Sequence, residues 1–448
     1  MRLSQAQRLA AVFVCLFFLV VSGNAQADKE PFKFGEFDVE LLEQANVIDK
    51  KFAEQGLVYR DAALTGYLQQ IGQSLLAPDE KLEKVTWQFF VFRNPTINAF
   101  ALPNGSIYVN TGLLATLDTE SQVASVLAHE IVHVRNRHTY LGYRSYRKKA
   151  LAINLLSIAG AYGGSVVGLA SSAAQFILNV TIIGHSREME READTQGAHA
   201  LLKSVYEPQE MLTAFKRLQN EYEVDLDGEP FYGDHPKLKE RMAYLTVLLE
   251  QAKEKRAFTA EEQAAFKERY FKQTEAITRH NIELDIDAGL FRTAVALGQQ
   301  LVELNPQSAA NLTSLADAYV ALGPRVLTPT AEEKTGHGKR DARKRRTRLT
   351  LLEERKKLAE TTAGQDLQKA NFTEADKLYH QALALDGQHA LAWRGLGELL
   401  EEQTQGQPAS EAYQHYVELN PGAMDRLMIM RRIKALEEKN AASPKPQL

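Results

Sequence analysis

The sequence is poor in cysteine, tryptophan and proline, and these shortages exclude several classes of protein. Its 448 residues include one cysteine, two tryptophans and 14 prolines. A single cysteine excludes an intramolecular disulfide framework and a cysteine-rich zinc finger. Neither sign of charge is in large excess, because 53 basic and 57 acidic residues give a formal net charge of −4. The overall charge therefore favours neither nucleic acid nor an anionic membrane as the main partner.

The composition is that of a folded, water-exposed chain. Hydrophobic residues make up 44% of the sequence and charged residues 25%, which excludes a mostly disordered chain, a collagen-like repeat and a protein with many membrane spans. Single hydrophobic cores stop growing at roughly 250 to 300 residues. A chain of this length is therefore expected to divide into two domains.

The N-terminus has the pattern of a secretory signal peptide. Arg2 and Arg8 precede an apolar run over residues 9–21, and small residues lie just before Asp28. The run is shorter than the roughly 20 residues that span a bilayer, so we expect residues 1–27 to be cleaved before Asp28 rather than kept as an anchor. Cys15 lies in this segment. An exported mature chain without cysteine favours the periplasm of a Gram-negative cell.

Residues 28–255 are predicted to form the first domain, mainly α-helical with a small β-sheet. Apolar side chains at helical spacing predict a helix that ends before Pro78; they are Leu64, Leu68, Ile71 and Leu75. The other predicted elements are a strand over 85–92, a hairpin of strands 99–102 and 106–109 that turns at Asn104-Gly105, a helix opened by the capping box Thr119 to Gln122, and a helix from Ser186 to Leu202.

The segment 150–183 is almost free of charge and long enough to resemble a membrane span. Glycines interrupt it, among them Gly160, Gly163 and Gly164. We therefore expect a helical hairpin that packs on the protein or touches a membrane surface, with a single membrane span as the alternative.

Residues 260–440 are predicted to form a second domain, a solenoid of tetratricopeptide repeats. The helix endings Leu385-Asp386-Gly387 and Leu419-Asn420-Pro421 are 34 residues apart, which is the period of this repeat. Trp393, Leu396 and Gly397 match the W-x-x-L-G signature of the repeat. Helices of similar sequence are predicted to start near Phe291, Asn371 and Pro408, and the first of them to end at Leu304-Asn305-Pro306.

A basic insertion over 324–350 separates the first repeat from the second. Its run 339–348 contains seven basic residues and one acid. A solvated helix or a linker is the expected structure, and a patch for an anionic partner is the alternative.

The motif His129-Glu130-Ile131-Val132-His133 predicts a metal site on a helix. At 3.6 residues per turn, both imidazoles lie on one face and can bind one metal ion. Glu130 lies beside them, where it can accept a proton from the attacking water. The predicted chemistry is zinc-assisted peptide hydrolysis, in which Glu130 then passes this proton to the leaving amine.

A third ligand is expected among the acidic residues near position 190. Glu190 is the candidate, because Asp194 lies one helical turn further on and can orient a ligand imidazole. Glu188 and Glu192 are expected to be solvated, and surface or core positions are expected for His138, His185 and His199. His235 and Arg241, at a loop that enters a helix, are the candidate donors to the developing oxyanion.

In this order and spacing, these residues resemble the zinc metallopeptidase family of HtpX, the mitochondrial OMA-type peptidases and the CAAX prenyl proteases. The resemblance extends over about residues 45 to 250. It rests on the segment Asn94 to Pro103 with Gly105, Val109 and Gly112-Leu113-Leu114, the motif His129 to His133, Ser186-Arg187, Glu190 with Ala193-Asp194, His235-Pro236 and Arg241. A signal peptide followed by tetratricopeptide repeats is similar to the periplasmic branch of this family.

The resemblance implies a gluzincin endopeptidase in which one zinc ion is bound by His129, His133 and Glu190. It implies that His235 can occupy the fourth zinc position and hold the enzyme inactive, and that 150–183 belongs to the surroundings of the active site. A substrate strand is expected to pair with an exposed strand edge. The residues expected to form that edge are Ser106, Ile107, Tyr108 and Val109.

The expected function is that of a periplasmic zinc endopeptidase in outer-membrane protein assembly and quality control. The resemblance implies that it degrades misfolded or stalled β-barrel proteins and that its repeats contact these clients and the β-barrel assembly machinery. One alternative is a chaperone or scaffold whose proteolysis is held off by His235. Another is a membrane-embedded protease that acts on lipid-anchored substrates. No nucleic acid partner is expected.

Overall fold

The computed structural model describes residues 32–77, 81–152, 185–224, 238–253, 257–326 and 348–442. Residues 41–448 form one compact unit and residues 1–40 another. In the smaller unit, the backbone N–H of Gly35 donates to Asp38 at 2.8 Å. The predicted signal peptide, residues 153–183 of the uncharged segment and residues 339–347 of the basic run lie outside the described residues.

The described chain is mainly α-helical with one small sheet, as the sequence predicted. Its elements up to residue 253 are α1 (Glu36–Glu54), α2 (Ala62–Ser74), β1 (Gln88–Phe92), β2 (Ala99–Ala101), β3 (Ser106–Asn110), α3 (Thr111–Thr116), α4 (Glu120–Arg135), α5 (His138–Ala152), α6 (Arg187–Leu202), α7 (Glu210–Val224) and α8 (Leu238–Lys253). Within these ranges α2, α4 and α6 lie where helices were predicted.

The sheet has the strand order β1-β3-β2, with β3 parallel to β1 and antiparallel to β2. The predicted hairpin of β2 and β3 is confirmed. It turns at Gly105, whose φ of 100° is unfavourable for any residue with a Cβ atom. β1 begins at Gln88, three residues later than predicted. Because β3 lies between the other two strands, it is not the exposed edge that was expected at residues 106–109, and that prediction was wrong.

A hydrophobic core surrounds α4, the helix that carries the HExxH motif. Leu127, Ala128 and Ile131 of α4 are all at most 1% exposed. α6 packs closely on α4 because Gly197 faces the α4 backbone, where a Cβ atom would lie 3.3 Å from His129 N. The small residue therefore brings the predicted third ligand, on α6, towards the two imidazoles.

The chain from residue 257 onwards is described as helices only. They are α9 (Ala260–Ala288), α10 (Phe291–Leu304), α11 (Ala309–Leu322), α12 (Arg348–Ala359), α13 (Thr362–Leu385), α14 (Ala390–Glu402), α15 (Gly406–Leu419) and α16 (Arg426–Ala442). The three predicted helix endings are confirmed at Leu304, Leu385 and Leu419. The start predicted near Asn371 was wrong, since Thr361 caps the backbone N–H of Gly364 and α13 begins nine residues earlier than Asn371.

Residues of the two halves of the larger unit are in direct contact. The buried hydroxyl of Tyr270 on α9 donates to the carbonyl of Leu114 on α3 at 2.5 Å. Arg217 on α7 donates to Gln300 on α10 at 3.0 Å and pairs with Asp118 at 2.7 Å. None of the helices in the described ranges combines the length and apolar composition needed to cross a membrane.

Candidate metal centre

The N-terminus of α4 is held by side chains on both sides. Thr119 is the N-cap and accepts a hydrogen bond from the backbone N–H of Gln122, as the predicted capping box requires. The side chain of Gln122 accepts instead from Asp118 N, at 2.8 Å, and donates to Glu210 on α7. The first bond satisfies a backbone donor that a helix start leaves open, and the bonds of Gln122 link the start of α4 to Asp118 and to α7.

His129, His133 and Glu190 converge on one point. Each offers a ligand atom, and these atoms all lie within 4.8 Å of one another. The Nε2 atoms of the two histidines are 3.0 Å apart, and the Glu190 carboxylate oxygens lie 3.4 Å from Nε2 of His129 and 3.7 Å from Nε2 of His133. The side chains are 12%, 3% and 2% exposed in the same order. Two imidazole nitrogens and one carboxylate oxygen are the donor set of a catalytic zinc site, so the residues fit zinc.

Asp194 lies behind this triad, on the other nitrogen of His129. Its Oδ1 atom is 2.9 Å from His129 Nδ1. Burial opposes ionisation of Asp194, but the charges and hydrogen bonds of Arg241 and His129 outweigh burial and lower its pKa to about 2. The aspartate is therefore ionised at neutral pH and suited to holding the proton of His129 on Nδ1.

Arg241, on α8, is 4% exposed and directed at carboxylates. Its Nε and Nη2 atoms donate to the two oxygens of Asp194 at 2.8 and 2.7 Å, and Nη1 lies 3.3 Å from Glu190 Oε2. The Tyr244 hydroxyl donates to the same aspartate. These contacts are those of a residue that positions the two acids, whereas the sequence predicted Arg241 as a donor to the oxyanion.

The protonation of the centre follows from burial and from these neighbours. Burial alone would lower the pKa of His129, but its hydrogen bonds with Asp194 and Glu190 raise it to about 10. Burial and the neighbouring His185 lower the pKa of His133. Burial raises the pKa of Glu130 to about 7, close to the value that suits a general base at neutral pH. A metal ion would displace a proton from His129 on binding.

Two histidines outside the motif, for which surface or core positions were expected, contact the metal ligand His133. His138 is 1% exposed and its Nδ1 atom is 2.9 Å from Nδ1 of His133. The His185 ring stacks on the His133 ring with centroids 4.0 Å apart. Glu192, expected to be solvated, lies 3.4 Å from His138. No helical spacing links His138 or His185 to the motif, because each lies outside the helix that carries it.

The remaining predicted site residues are not at the metal centre or cannot be placed there. His235 lies outside the described residues, so its roles as oxyanion donor and fourth ligand stay predictions. The side chains of Ser106 and Tyr108 are occupied by Asp49 of α1, at 2.7 and 2.6 Å. Ile107 and Val109 are at most 1% exposed and lie in the core.

Comparisons with known proteins agree with this centre. The sequence profile of peptidase family M48 matches residues 62–248. The chain is 31% identical over 191 residues to the β-barrel assembly-enhancing protease of Escherichia coli (strain K12), a match that covers 41% of this chain and 38% of that protein. It is 32% identical over 176 residues to the protein of the same name from Yersinia pestis, covering 38% of this chain and 35% of that protein.

A mitochondrial protein is also similar to part of this chain. Mitochondrial metalloendopeptidase OMA1 of Schizosaccharomyces pombe is 28% identical over 193 residues, covering 43% of this chain and 55% of that protein. The chain thus spans well under half of the length of the two bacterial relatives. The family profile covers α2 to most of α8 and includes every residue of the metal triad. Residues 62–248 are therefore the part of this chain that is similar to peptidase family M48.

Proposed function

We propose that this protein is a zinc-dependent endopeptidase with its active centre at His129, Glu130, His133 and Glu190. The observation that carries the proposal is the convergence of two imidazoles and a buried carboxylate within 4.8 Å, in a domain of a peptidase family. The adjoining Glu130 has a pKa that burial raises to about 7. The names of the similar proteins, a protease and a metalloendopeptidase, support the same activity.

Different residues of the protein have different roles in hydrolysis. When bound, zinc supplies a Lewis acid that polarises the substrate carbonyl and makes water more acidic. Glu130 accepts the proton of the attacking water and donates it to the leaving amine, two transfers that a pKa near neutrality serves equally well. Asp194 keeps the His129 proton on Nδ1, which directs Nε2 of His129 to the metal. His235 is the candidate donor to the oxyanion.

The variant Glu130→Gln tests this mechanism. It keeps the size of the side chain but removes the proton acceptor, so zinc content should remain at one per chain while cleavage of an unfolded protein falls by about 10²- to 10⁴-fold. Glu188→Gln makes the same change at an exposed side chain and is the control. Proteolysis by Glu130→Gln at the wild-type rate would refute the mechanism.

The outer edge of β2 is the strand edge that best suits a bound substrate. The outer edge of β1 is already bonded to the chain near Leu57, through Tyr59 N to Val91 O at 2.9 Å. Leu102, the residue after β2, bonds through its N–H to Ser106 O of β3, and backbone groups alternate between the two sides of a strand. Ala99 and Ala101 therefore direct their N–H and C=O groups away from β3. β2 packs against α4, the helix of the HExxH motif.

Ala101→Pro tests the substrate strand at this edge. Proline fits an edge strand where the N–H points away from the sheet, so the variant should keep the fold and zinc but raise KM for an extended peptide. Ala101→Ser keeps the backbone donor and is the matched control. An unchanged KM in the proline variant would show that the substrate does not pair with β2.

The substrates are misfolded or stalled outer-membrane β-barrel proteins in the periplasm. The signal-peptide pattern before Asp28 supports this compartment, and the bacterial relatives, named β-barrel assembly-enhancing proteases, support this substrate. Main-chain pairing at β2 would accept extended chains with little side-chain selectivity. The exported protein should begin at Asp28 by mass spectrometry, and it should cleave a urea-unfolded β-barrel protein but not the same protein folded in detergent.

Residues 260–440 act as a tetratricopeptide-repeat domain that docks clients and the assembly machinery, beside a protease domain over 28–255. The 34-residue period and the close packing of α14 on α15 at Gly397 support the repeat. Met424 and Leu427, at 105% and 71% exposure, present apolar side chains near the start of α16. Leu427→Glu should weaken binding of an unfolded β-barrel protein without changing hydrolysis of a short peptide; unchanged client binding would exclude this docking surface.

A further inference from the structure

The two ring nitrogens of His133 face different surroundings. Nε2 points to the metal triad, 3.0 Å from Nε2 of His129 and 3.7 Å from Glu190 Oε1. Nδ1 points away from the triad and lies 2.9 Å from Nδ1 of His138. A metal-binding imidazole usually donates its second N–H to a carboxylate or a carbonyl. Here the first partner is another imidazole.

His138 continues the chain of contacts to a carboxylate. Its Nε2 atom lies 3.4 Å from Oε2 of Glu192, and Oε1 of Glu192 accepts a hydrogen bond from Gln196 at 2.9 Å. The His138 side chain is 1% exposed, whereas Glu192 is 37% exposed. The series of contacts from His133 through His138 to Glu192 therefore starts at the metal triad, passes through the protein interior and ends at the surface.

Metal binding determines where the protons lie on His133 and His138. An imidazole that binds a metal through Nε2 carries its proton on Nδ1, so His133 must donate to Nδ1 of His138. His138 can accept there only with its own proton on Nε2, and that proton faces Glu192. We propose that His138 is a positioning residue for the metal centre: it orients His133 and transmits to it the negative charge of Glu192.

The fold builds this contact with an unusual turn. α4 ends at Arg135, and Arg137 has a left-handed backbone with φ of 58°. The Arg137 side chain donates to the carbonyl of Glu83 at 2.7 Å, which helps to hold this turn. The turn lets His138, the first residue of α5, face back towards His133. A backbone conformation that non-glycine residues rarely adopt is often retained where function needs it.

The two metal-binding histidines are thus supported differently. His129 faces Asp194 directly, and Asp194 is fully buried and held by Arg241. His133 reaches its carboxylate only through His138, and that carboxylate is partly exposed. The inference rests on zinc at the triad, as in the proposed function, but it does not depend on proteolysis.

Zinc affinity of full-length variants, measured by competition with a chelator, tests the role of His138. His138→Phe keeps a ring and removes both nitrogens, and it should raise the Kd for zinc by about 10- to 100-fold. Glu192→Gln removes only the charge at the exposed end and should raise it severalfold. Glu188→Gln, the same change at an exposed position on α6, should leave it unchanged. Absence of zinc binding in the wild type would refute the proposed function instead.

A second measurement separates positioning from packing. In the zinc-bound wild type, the Nδ1 proton of His133 should give a slowly exchanging NMR signal, and exchange should become faster in His138→Phe. A role in packing alone would lower stability and leave this exchange unchanged. Wild-type zinc affinity in both His138→Phe and Glu192→Gln would overturn the inference. If His138→Phe does not fold, Glu192→Gln decides alone, since its side chain is partly exposed.

Discussion

Arg241 binds Asp194 through two parallel hydrogen bonds, from Nε to Oδ2 at 2.8 Å and from Nη2 to Oδ1 at 2.7 Å. The pair joins α8 to α6, and Asp194 in turn faces His129 of the metal triad. A bidentate pair of this kind gives orientation as well as energy. The position of one metal ligand therefore depends on a residue 112 positions further along the sequence.

Arg241→Met should destabilise the protein strongly. The variant leaves the carboxylate of Asp194 buried without its guanidinium, and breaking a buried pair costs about 3 to 5 kcal/mol of unfolding free energy. Urea unfolding of the zinc-free protein measures this loss. Arg241→Lys keeps the charge but cannot form both bonds, so a smaller loss is expected. Equal stability of Arg241→Met and wild type would show that the pair does not support the fold.

Zinc should stabilise the protein through its triad. Because a ligand that binds only the folded state adds RT ln(1 + [L]/Kd), free zinc at 100 times its Kd should add about 2.7 kcal/mol to the unfolding free energy. Thermal unfolding with and without chelator measures the effect. His133→Ala removes one ligand and should abolish most of it. A zinc effect of the same size in this variant would place the metal elsewhere.

The free energy of unfolding should decrease as pH rises, because of Asp317 in α11. Burial raises the pKa of Asp317 to about 7, although its hydrogen bond from Tyr379 opposes the rise. The unfolded chain ionises near pH 3.9, so the folded state holds an extra proton between about pH 4 and 7. The contribution of neutral Asp317 is therefore fully present below about pH 4 and is lost as pH rises through about 7.

Asp317→Asn measures this contribution. Asparagine cannot ionise but can still accept a hydrogen bond from Tyr379, so the variant should gain stability relative to wild type as pH rises from 4 to 8. We expect a gain of about 1 to 2 kcal/mol, less than the whole shift implies, because Asp317 is only partly buried. Asp366→Asn, at an exposed position in α13, is the control. A pH-independent difference would contradict the assignment.

Alanine at two helical glycines should have opposite effects. At Gly397 a Cβ atom would lie 2.6 Å from the buried ring of Tyr413, so Gly397→Ala should separate α14 from α15 and cost about 1 to 3 kcal/mol. At Gly66 in α2 no atom lies within 4 Å of the added carbon, and alanine should stabilise the helix by about 0.5 to 1 kcal/mol. Denaturant unfolding compares the two. Stabilisation at both positions would refute the close helix contact.

Much of the metal centre could be predicted because its signals are local. His129 and His133 are one helical turn apart, and so are Glu190 and Asp194. Spacing within a helix therefore predicts which side chains share a face before the fold is known. The hairpin at Gly105 and the N-cap at Thr119 were predictable for the same reason, since turn and cap chemistry involve only a few neighbouring residues.

Other features depend on contacts between distant segments. The family resemblance implied that β3 is an edge that receives substrate, but β2 pairs with one side of β3 and β1 with the other. Pairing order depends on the path of the whole chain, so no pattern within residues 106–109 could reveal it. Likewise α13 begins earlier than the comparison of repeats predicted. Its start is set by Thr361, which caps the helix.

The sequence by itself determined the chemistry of this protein: a helix with two imidazoles and a base, a second helix with two acids, and a mainly helical chain around them. Only the tertiary structure decided which groups support that chemistry. Arg241 became a clamp on Asp194, and His138 came to face His133 across a left-handed turn. Spacing specifies which side chains share a face, whereas the packing of separate helices specifies which side chains those faces meet.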